Sequence, residues 1–220
     1  MKKSRLALLL VTAVLVASAG IAQGALITNV VRANGQSGSR APIGAFTGSS
    51  APLPTQAGGM IDGNLVFSDR DVHAWASTPA QIMGSEYVRD FNTDKTGGET
   101  DVTYTVTFSQ MCWIWLTIDD RAWAAFPTQQ AAADEITKAF AAPGRFKDSG
   151  VDVFIYESAS VPKRMMNIFQ AQFSAGTYVF GHNDSNNNFY TIGASEKPIP
   201  EPMTLALLAL GGLIASRKGR

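Results

Sequence analysis

The sequence predicts a mainly β domain, an antiparallel β-sandwich of the jelly-roll type with one short helical insertion. Two observations carry this prediction. Several short runs of β-forming residues follow one another through the middle of the chain, separated by Gly, Ser and Asn at turns. A single segment, residues 128–142, has a helical pattern instead.

The first part of the domain contains short strands and an irregular entry. Residues 26–31 predict a short initial strand, and residues 32–60, which are rich in Gly, Ser, Pro and Ala, predict an irregular segment. Residues 64–68 predict a second strand, and another begins in residues 84–89.

The clearest period-two pattern lies in residues 102–118. Val, Tyr, Val and Phe alternate with threonine over residues 102–108, and residues 111–118 are apolar on both faces. Because only Ser109 and Gln110 separate the two runs, we expect an antiparallel hairpin at the centre of the sandwich.

The sequence after residue 118 predicts one helix and the closing strands. Ile136 and Phe140 fall four residues apart, Thr128 is a candidate N-cap, and Pro143-Gly144 predicts the helix end. The later strands are predicted at residues 151–156, 165–173, 177–181 and 189–192.

The N-terminus has the pattern of a secretory signal peptide. Three basic residues precede an apolar run at residues 6–16 and small residues up to Ala25. The run has about 11 residues whereas a membrane span needs roughly 20, so a permanent anchor or a buried helix is the weaker alternative. We expect export through the secretion translocon and cleavage by signal peptidase between Ala19 and Ala25.

The C-terminus combines a Pro-Glu-Pro motif, a short apolar segment and a basic end. The motif is Pro200-Glu201-Pro202, the apolar segment spans residues 203–216, and Arg217, Lys218 and Arg220 follow. These features resemble the PEP-CTERM sorting signal. The resemblance implies recognition by an exosortase-type membrane transpeptidase and delivery to the cell surface or beyond. A buried helix that ends a globular domain is the alternative.

These patterns divide the chain into four parts. They are a signal peptide (1–24), an irregular segment (25–61), the β-sandwich domain (62–195) and the sorting tail (196–220). The chain has 18 basic and 18 acidic side chains; residues 25–199 hold 12 of the basic and 17 of the acidic ones, which gives a formal charge of about −5. Nucleic acid is therefore not an expected partner.

The central region, roughly residues 62–193, contains short motifs at residues 67–70, 79–80, 84–88, 92–95, 118–121 and 174–178. With these motifs it is similar to an uncharacterised β-sandwich domain of exported, Pro-Glu-Pro-tagged bacterial proteins. The similarity implies a fold and a location but no activity.

Two acidic segments are candidates for chemistry. Asp119-Asp120-Arg121 ends an apolar strand, where a carboxylate can serve acid–base or metal chemistry, but the alternative is a paired or solvated strand end. Residues 69–71 have the same two interpretations. The polar loop 182–188, which contains Asp184, could hold Ca²⁺ or simply form turns. No other cofactor is predicted.

Aromatic residues and the single cysteine complete the candidates. Trp113 and Trp115 share one strand face, where exposed rings could stack on sugars and buried rings would pack in the core. Cys112 lies in an apolar run and is expected to be buried.

The sequence has no nucleophile elbow, zinc-type spacing or phosphate loop, so we expect no enzyme. The leading hypothesis is a structural or adhesive surface protein. A module that binds exopolysaccharide is second, and a polysaccharide hydrolase is third.

Overall fold

The computed structural model describes residues 25–34, 42–45, 59–68, 70, 72–95, 102–121, 126–157, 164–181 and 188–199. Within these residues the chain forms two antiparallel sheets and one short α-helix, so the predicted β-sandwich is confirmed. The four-stranded sheet has the order β2 (Pro42–Ala45), β1 (Ile27–Asn34), β5 (Val102–Phe108), β9 (Gly176–Phe180). The six-stranded sheet has the order β3 (Ala74–Ala76), β7 (Lys147–Tyr156), β8 (Arg164–Phe173), β6 (Cys112–Asp119), β10 (Thr191–Ser195), β4 (Glu86–Tyr87).

Aromatic rings make several contacts in the core of the sandwich, together with many buried aliphatic side chains. Phe173 on β8 lies 5.3 Å from the ring of Tyr178 on β9, and Tyr104 on β5 lies 5.7 Å from Phe189. The first pair joins strands of different sheets, the second joins β5 to the segment before β10, and Tyr104 and Phe189 are fully buried. Aromatic side chains remove large areas from water, so such contacts contribute much of the sandwich's stability.

The predicted hairpin of residues 102–118 is wrong. β5 pairs with β1 and β9, whereas β6 pairs with β8 and β10, so residues 109–111 cross from one sheet to the other. Local pattern and loop length are the same for a hairpin and for such a crossing. The strand partners differ, and they lie far away in sequence.

The central position of β6 agrees with its two apolar faces. On the inner face, Ile114 and Leu116 point towards the four-stranded sheet and are fully buried. On the outer face, Trp115 lies beside Gly193 of β10, which pairs directly with it. Buried residues of the segment 59–90 cover this face; Trp75 and Tyr87, for example, meet edge to face with ring centroids 5.5 Å apart.

The helix α1 (Gln129–Thr137) begins where the sequence predicts and ends early. Its N-cap is Thr128, whose hydroxyl accepts a hydrogen bond from the Ala131 amide at 3.1 Å. The helix stops before Phe140, whose ring lies 4.9 Å from that of Phe180. The ring packs against β9, and the helix ends before the predicted stop at Pro143.

Several strand boundaries differ from the sequence predictions. Within the predicted irregular segment, β1 continues to Asn34 and pairs with β2. The predicted strand at residues 64–68 forms only a single bridge, between Leu65 and Ala74, and β3 was not predicted. The closing strand lies at Thr191–Ser195 rather than 189–192. Short strands at a sheet edge are fixed by their partners more than by their own composition.

The predicted signal helix and apolar tail helix lie outside the described residues. Among the described residues, no helix is long and apolar enough to cross a membrane.

The sandwich has two distinct ends. At the first, Ile27 pairs with Phe108 and Ser195 pairs with Trp113, so β1 begins and β10 ends there. We call this the terminal end. At the opposite end, Asp119 pairs with Met166 and Thr191 with Thr117. We call it the loop end.

Candidate functional site

The candidate carboxylate Asp119 lies in a group of charged and polar side chains at the loop end. We define the strand-end cluster as Asp119, Arg121, Glu157, Arg164 and Asn188. Asp119 ends β6, Glu157 directly follows β7, Arg164 begins β8, and Asn188 precedes β10. The antiparallel order of these strands brings residues that are far apart in sequence to one edge.

Arg121 joins the two acidic residues of the strand-end cluster. Its Nε and Nη2 donate to the two carboxylate oxygens of Asp119 at 2.8 and 2.7 Å, and Nη2 also donates to Glu157 Oε1 at 2.5 Å. The Arg164 Nε donates to Glu157 Oε2 at 2.9 Å. The side-chain Nδ2 of Asn188 donates to Asp119 Oδ2 and to Glu157 Oε1, at 2.9 Å each. Two parallel, charge-assisted hydrogen bonds of this kind fix the Arg121 guanidinium in the plane of the Asp119 carboxylate.

These contacts set the protonation of the two acids. Burial opposes the charged form of Asp119, but hydrogen bonds from Arg121 and Asn188 and the charge of Arg121 hold its pKa below the usual value. Burial also opposes the charged form of Glu157, and its bonds to Arg164, Arg121 and Asn188 lower its pKa in turn. Both groups are therefore carboxylates at neutral pH.

Asp120 behaves in the opposite way. Burial, together with the neighbouring negative charge of Asp119, raises the pKa of Asp120. Its Oδ1 atom is buried and has no hydrogen bond partner among the described residues. Asp119 is almost fully buried, whereas Asp120 is half-buried in the turn, and the two carboxyl groups are close enough for Asp119 to act on the pKa of Asp120.

The strand-end cluster is arranged to fasten strands together. The Asp119 side chain is 0% exposed, and each acid of the cluster is already bonded to an arginine and to Asn188. A general base or metal ligand needs a free lone pair directed at a substrate or ion. Among the described residues, no group of three His, Cys, Asp or Glu side chains could hold a metal ion. The candidate Asp184 lies outside the described residues, as do Asp69 and Asp71.

A second charged group at the loop end was not predicted. Arg32 on β1 donates to both oxygens of Asp94, at 2.8 and 2.5 Å, and the Tyr104 hydroxyl donates to Asp94 Oδ2 at 2.5 Å. Burial raises the pKa of Tyr104 well above its usual value, and nearby carboxylates add to this. The pairing of Arg32 with a residue 62 positions away has no local sequence signal.

Asn92 connects the two groups. Its Oδ1 accepts from the Phe189 amide at 2.8 Å, and its Nδ2 donates to Asn188 Oδ1 at 3.4 Å. The strand-end cluster in the six-stranded sheet is thereby linked to the turn that carries Asp94. Side-chain hydrogen bonds therefore join the ends of strands from both sheets at the loop end.

The candidate tryptophans do not form a platform of two exposed rings. Trp113 is half-buried and Trp115 is fully buried on the same outer face. Trp115 therefore packs in the core, as the alternative interpretation of the sequence predicted. Cys112 is buried as expected, and burial, with a contribution from Glu86, raises the pKa of its thiol to about 11.

At the terminal end, a cavity of about 300 Å³ lies between the start and the end of the described domain. Leu26, Met83, Glu86 and Lys197 are among its lining residues. The Glu86 carboxylate accepts hydrogen bonds from the Leu26 and Ile27 amides, both at 2.8 Å. This acid fixes the first residues of β1 at the rim of the cavity.

The last described residues are held by a side-chain amide. Gln170 on β8 donates from Nε2 to the Ile199 carbonyl at 2.7 Å and accepts from the Ile199 amide at 2.8 Å. Ile199 is 1% exposed, and Gln170 is also buried. Gln170 thus pairs with the backbone as a neighbouring strand would, and Ile199 is clamped on the outer face of the six-stranded sheet.

Comparison with known proteins gave only distant structural similarities. No protein-family model matches the chain, and no curated protein sequence matches it. A β-glucuronidase from glycoside hydrolase family 2 aligns with 62% of this chain at 20% identity and a TM-score of 0.46. A glycoside hydrolase family 138 enzyme targeting pectin rhamnogalacturonan II aligns with 64% at 14% identity and a TM-score of 0.44. The aligned regions cover only 13% and 15% of those proteins, and similarities this distant carry no inference about activity.

Proposed function

We propose that this protein is an exported, non-enzymatic β-sandwich, carried out of the cytoplasm by its N-terminal signal peptide and sorted by its C-terminal Pro-Glu-Pro tail. At its destination it acts as a structural or adhesive component of the cell envelope or extracellular matrix. The partners of this route are the secretion translocon, signal peptidase and an exosortase-type transpeptidase.

One observation carries the proposal: the first and last strands of the described domain meet at the same end, because β1 begins and β10 ends at the terminal end. Ser109 donates to the Ala25 carbonyl at 2.7 Å, and its neighbour Gln110 donates to Glu196 at 3.3 Å. The N-terminal signal pattern ends directly before Ala25, and the Pro-Glu-Pro motif begins four residues after Glu196. A domain whose first and last strands meet at one end can stay attached by a terminal segment while the rest of its surface remains accessible.

The non-enzymatic part of the proposal is supported by the strand-end cluster. Asp119 was one of the acidic candidates in the sequence, and its carboxylate is fully engaged by Arg121 and Asn188. A closed network of this kind holds β6, β7 and β8 in place, which suits a load-bearing or adhesive domain.

The test is the intact mass of the protein from the envelope and culture-medium fractions of a bacterium that has an exosortase-type enzyme. Wild type is compared with Glu201→Ala. We expect wild type to lack both the N-terminal signal and the residues after the Pro-Glu-Pro motif. The Glu201→Ala variant should keep its C-terminal segment because the motif is altered.

Glu196→Ala is the matched control because it removes the same charge five residues earlier, at an exposed position. It should be processed like wild type. A wild-type protein that retains Arg220 at its final location would overturn the sorting proposal.

Carbohydrate binding is the alternative function, and it now depends on Trp113. This ring is half-buried, whereas Trp115 is fully buried. Affinity electrophoresis in gels containing the host's exopolysaccharide would test it. Retardation of wild type that is lost in Trp113→Ala would favour a carbohydrate-binding module over a purely structural domain.

A further inference from the structure

We propose that the two hydrogen bonds between Gln170 and Ile199 hold the Pro-Glu-Pro motif against the folded domain, and that they must open before a transpeptidase can engage the motif. We call this pair of bonds the C-terminal clamp. The inference rests on the proposed function of the tail and adds a control to it, because the clamp restrains processing from within the same chain. A closed clamp slows removal of the tail, and an open clamp makes the motif accessible.

The C-terminal clamp lies on the outer face of the six-stranded sheet. Gln170 on β8 pairs in register with Trp115 on β6. The last strand, β10, ends at Ser195, which pairs with Trp113 on the other side of β6. Because β6 lies between β10 and β8, residues 196–199 carry the chain from the end of β10 across β6 to Gln170. The chain therefore leaves the domain from a sheet face, next to β8.

Residues 196–199 are part of the folded domain. The Ser195 hydroxyl donates to the Lys197 carbonyl at 2.8 Å, and Gln110 donates to Glu196 at 3.3 Å. Ile199 is 1% exposed and belongs to the buried apolar cluster of the core. Its amide and its carbonyl are both bonded to the clamp, so the backbone is held at this residue as firmly as in a strand.

The sorting motif follows the clamp without a spacer. Pro200 is the next residue after Ile199, so their Cα atoms are only about 3.8 Å apart. Three residues span at most about 11 Å, and about 9 Å in the extended form that proline favours. While the clamp is closed, the whole motif therefore stays within about 11 Å of a buried residue of the domain.

This distance leaves little room for an enzyme around the motif. A chain-cutting enzyme must enclose the residues on both sides of the bond, so cleavage close to a folded domain requires local opening of that domain. Release of residues 196–199 lengthens the free connection by up to about 14 Å. Opening of the clamp is the smallest movement that frees this segment, because the clamp is its last attachment to the sheet.

Gln170 allows the clamp to be tested without changing what the enzyme reads. It lies 29 positions from Ile199 in sequence, on β8, far from the Pro-Glu-Pro motif. When opening and closing are fast relative to cleavage, the rate of cleavage follows the fraction of open molecules. Loss of both bonds in Gln170→Ala should raise that fraction about five- to thirty-fold.

The experiment is pulse labelling of the full chain in a bacterium that has an exosortase-type enzyme. The half-time for conversion of the tailed form to the processed form is measured by mass. We expect this half-time to be about five- to thirty-fold shorter for Gln170→Ala than for wild type. Gln172→Ala is the matched control because Gln172 is exposed on the same strand, and it should behave as wild type.

The outcomes separate the clamp from the sorting signal. A half-time for Gln170→Ala equal to or longer than that of Gln172→Ala would overturn the role of the clamp and leave the sorting proposal standing. Absence of processing in every variant would overturn the sorting proposal, and the role of the clamp with it.

A longer connection tests the mechanism independently of the Gln170 side chain. Insertion of roughly twelve Gly and Ser residues between Ile199 and Pro200 adds a flexible length of about 17–20 Å, so the motif can stand clear of the domain while the clamp is closed. The insertion should shorten the half-time as Gln170→Ala does, and Gln170→Ala should then add less than about two-fold. An undiminished effect of Gln170→Ala in the lengthened chain would overturn the inference, because general destabilisation of the domain would then explain the faster processing.

Discussion

Gly193→Ala should destabilise the protein because the indole of Trp115 occupies the space that a side chain needs. A Cβ at position 193 would lie 1.9 Å from Trp115 Cζ2 and 2.2 Å from two further ring atoms. Ordinary contact begins near 3.4 Å, so the ring must move by about 1.5 Å. Trp115 is fully enclosed, and such overpacking costs about 1–3 kcal/mol. The backbone gain from glycine to alanine, about 0.5–1 kcal/mol, offsets part of it.

The measurement is the free energy of unfolding from urea titration, with Gly181→Ala as control. A Cβ at position 181 would meet its nearest atom, the Ile136 carbonyl oxygen, at an ordinary 3.5 Å. We expect Gly193→Ala to lose about 1–2 kcal/mol net and Gly181→Ala to change by less than about 0.5 kcal/mol. In a double-mutant cycle, Trp115→Phe should recover part of the loss because the smaller ring leaves space for the methyl group. A Gly193→Ala protein as stable as wild type would refute the packing argument.

Two further predictions concern the loop end and the C-terminal clamp. Because the pKa of Asp119 is lowered by folding, its stabilisation is fully present above about pH 4 and is lost as the pH falls through its folded pKa. The free energy of unfolding, measured by urea titration, should therefore differ less between pH 7 and pH 3 for Asp119→Asn than for wild type. The pKa of Asp120 is raised in the folded protein, so Asp120→Asn should leave the free energy of unfolding at pH 7 unchanged or increase it. Gln170→Ala should cost about 1–2 kcal/mol and expose the chain near Ile199 to proteinase K, because both bonds to that residue are lost. The exposed Gln172→Ala serves as control, and equal cleavage of the two variants would argue against the clamp.

Much of the fold was visible in local patterns of the sequence. The alternation of residues 102–108 and the double-sided apolar run after it identified β5 and β6 within one residue of their ends. Thr128 marked the helix start because capping depends on residues three positions apart. Such signals are contained within a few neighbouring residues, so the sequence alone is sufficient to identify them.

Pairing between distant strands was not visible in this way. β5 takes β1 and β9 as partners rather than β6, and the edge strand β3, which was not predicted, pairs with β7. No property of residues 109–111 distinguishes a hairpin from a crossing between sheets. Their partners are selected by burial of whole faces, which depends on the complete chain.

The same limit applies to the candidate site. The sequence identified Asp119 and allowed for a paired strand end, but it could not name Glu157, Arg164 and Asn188 as its companions. They are separated from it by 38 to 69 positions and meet it only through the antiparallel order of three strands. Arg121 alone was recognisable, since it lies two residues away.

The position of β10 has a consequence for the order in which the domain can be completed. This strand lies between β6 and β4, yet it is the last strand of the described domain. A chain that emerges from its N-terminus, from a ribosome or through a narrow channel, leaves β4 without a partner until residues 191–195 have appeared. The six-stranded sheet is therefore completed only when almost the whole domain is available, although pairs such as β7 with β8 and β6 with β8 do not need β10.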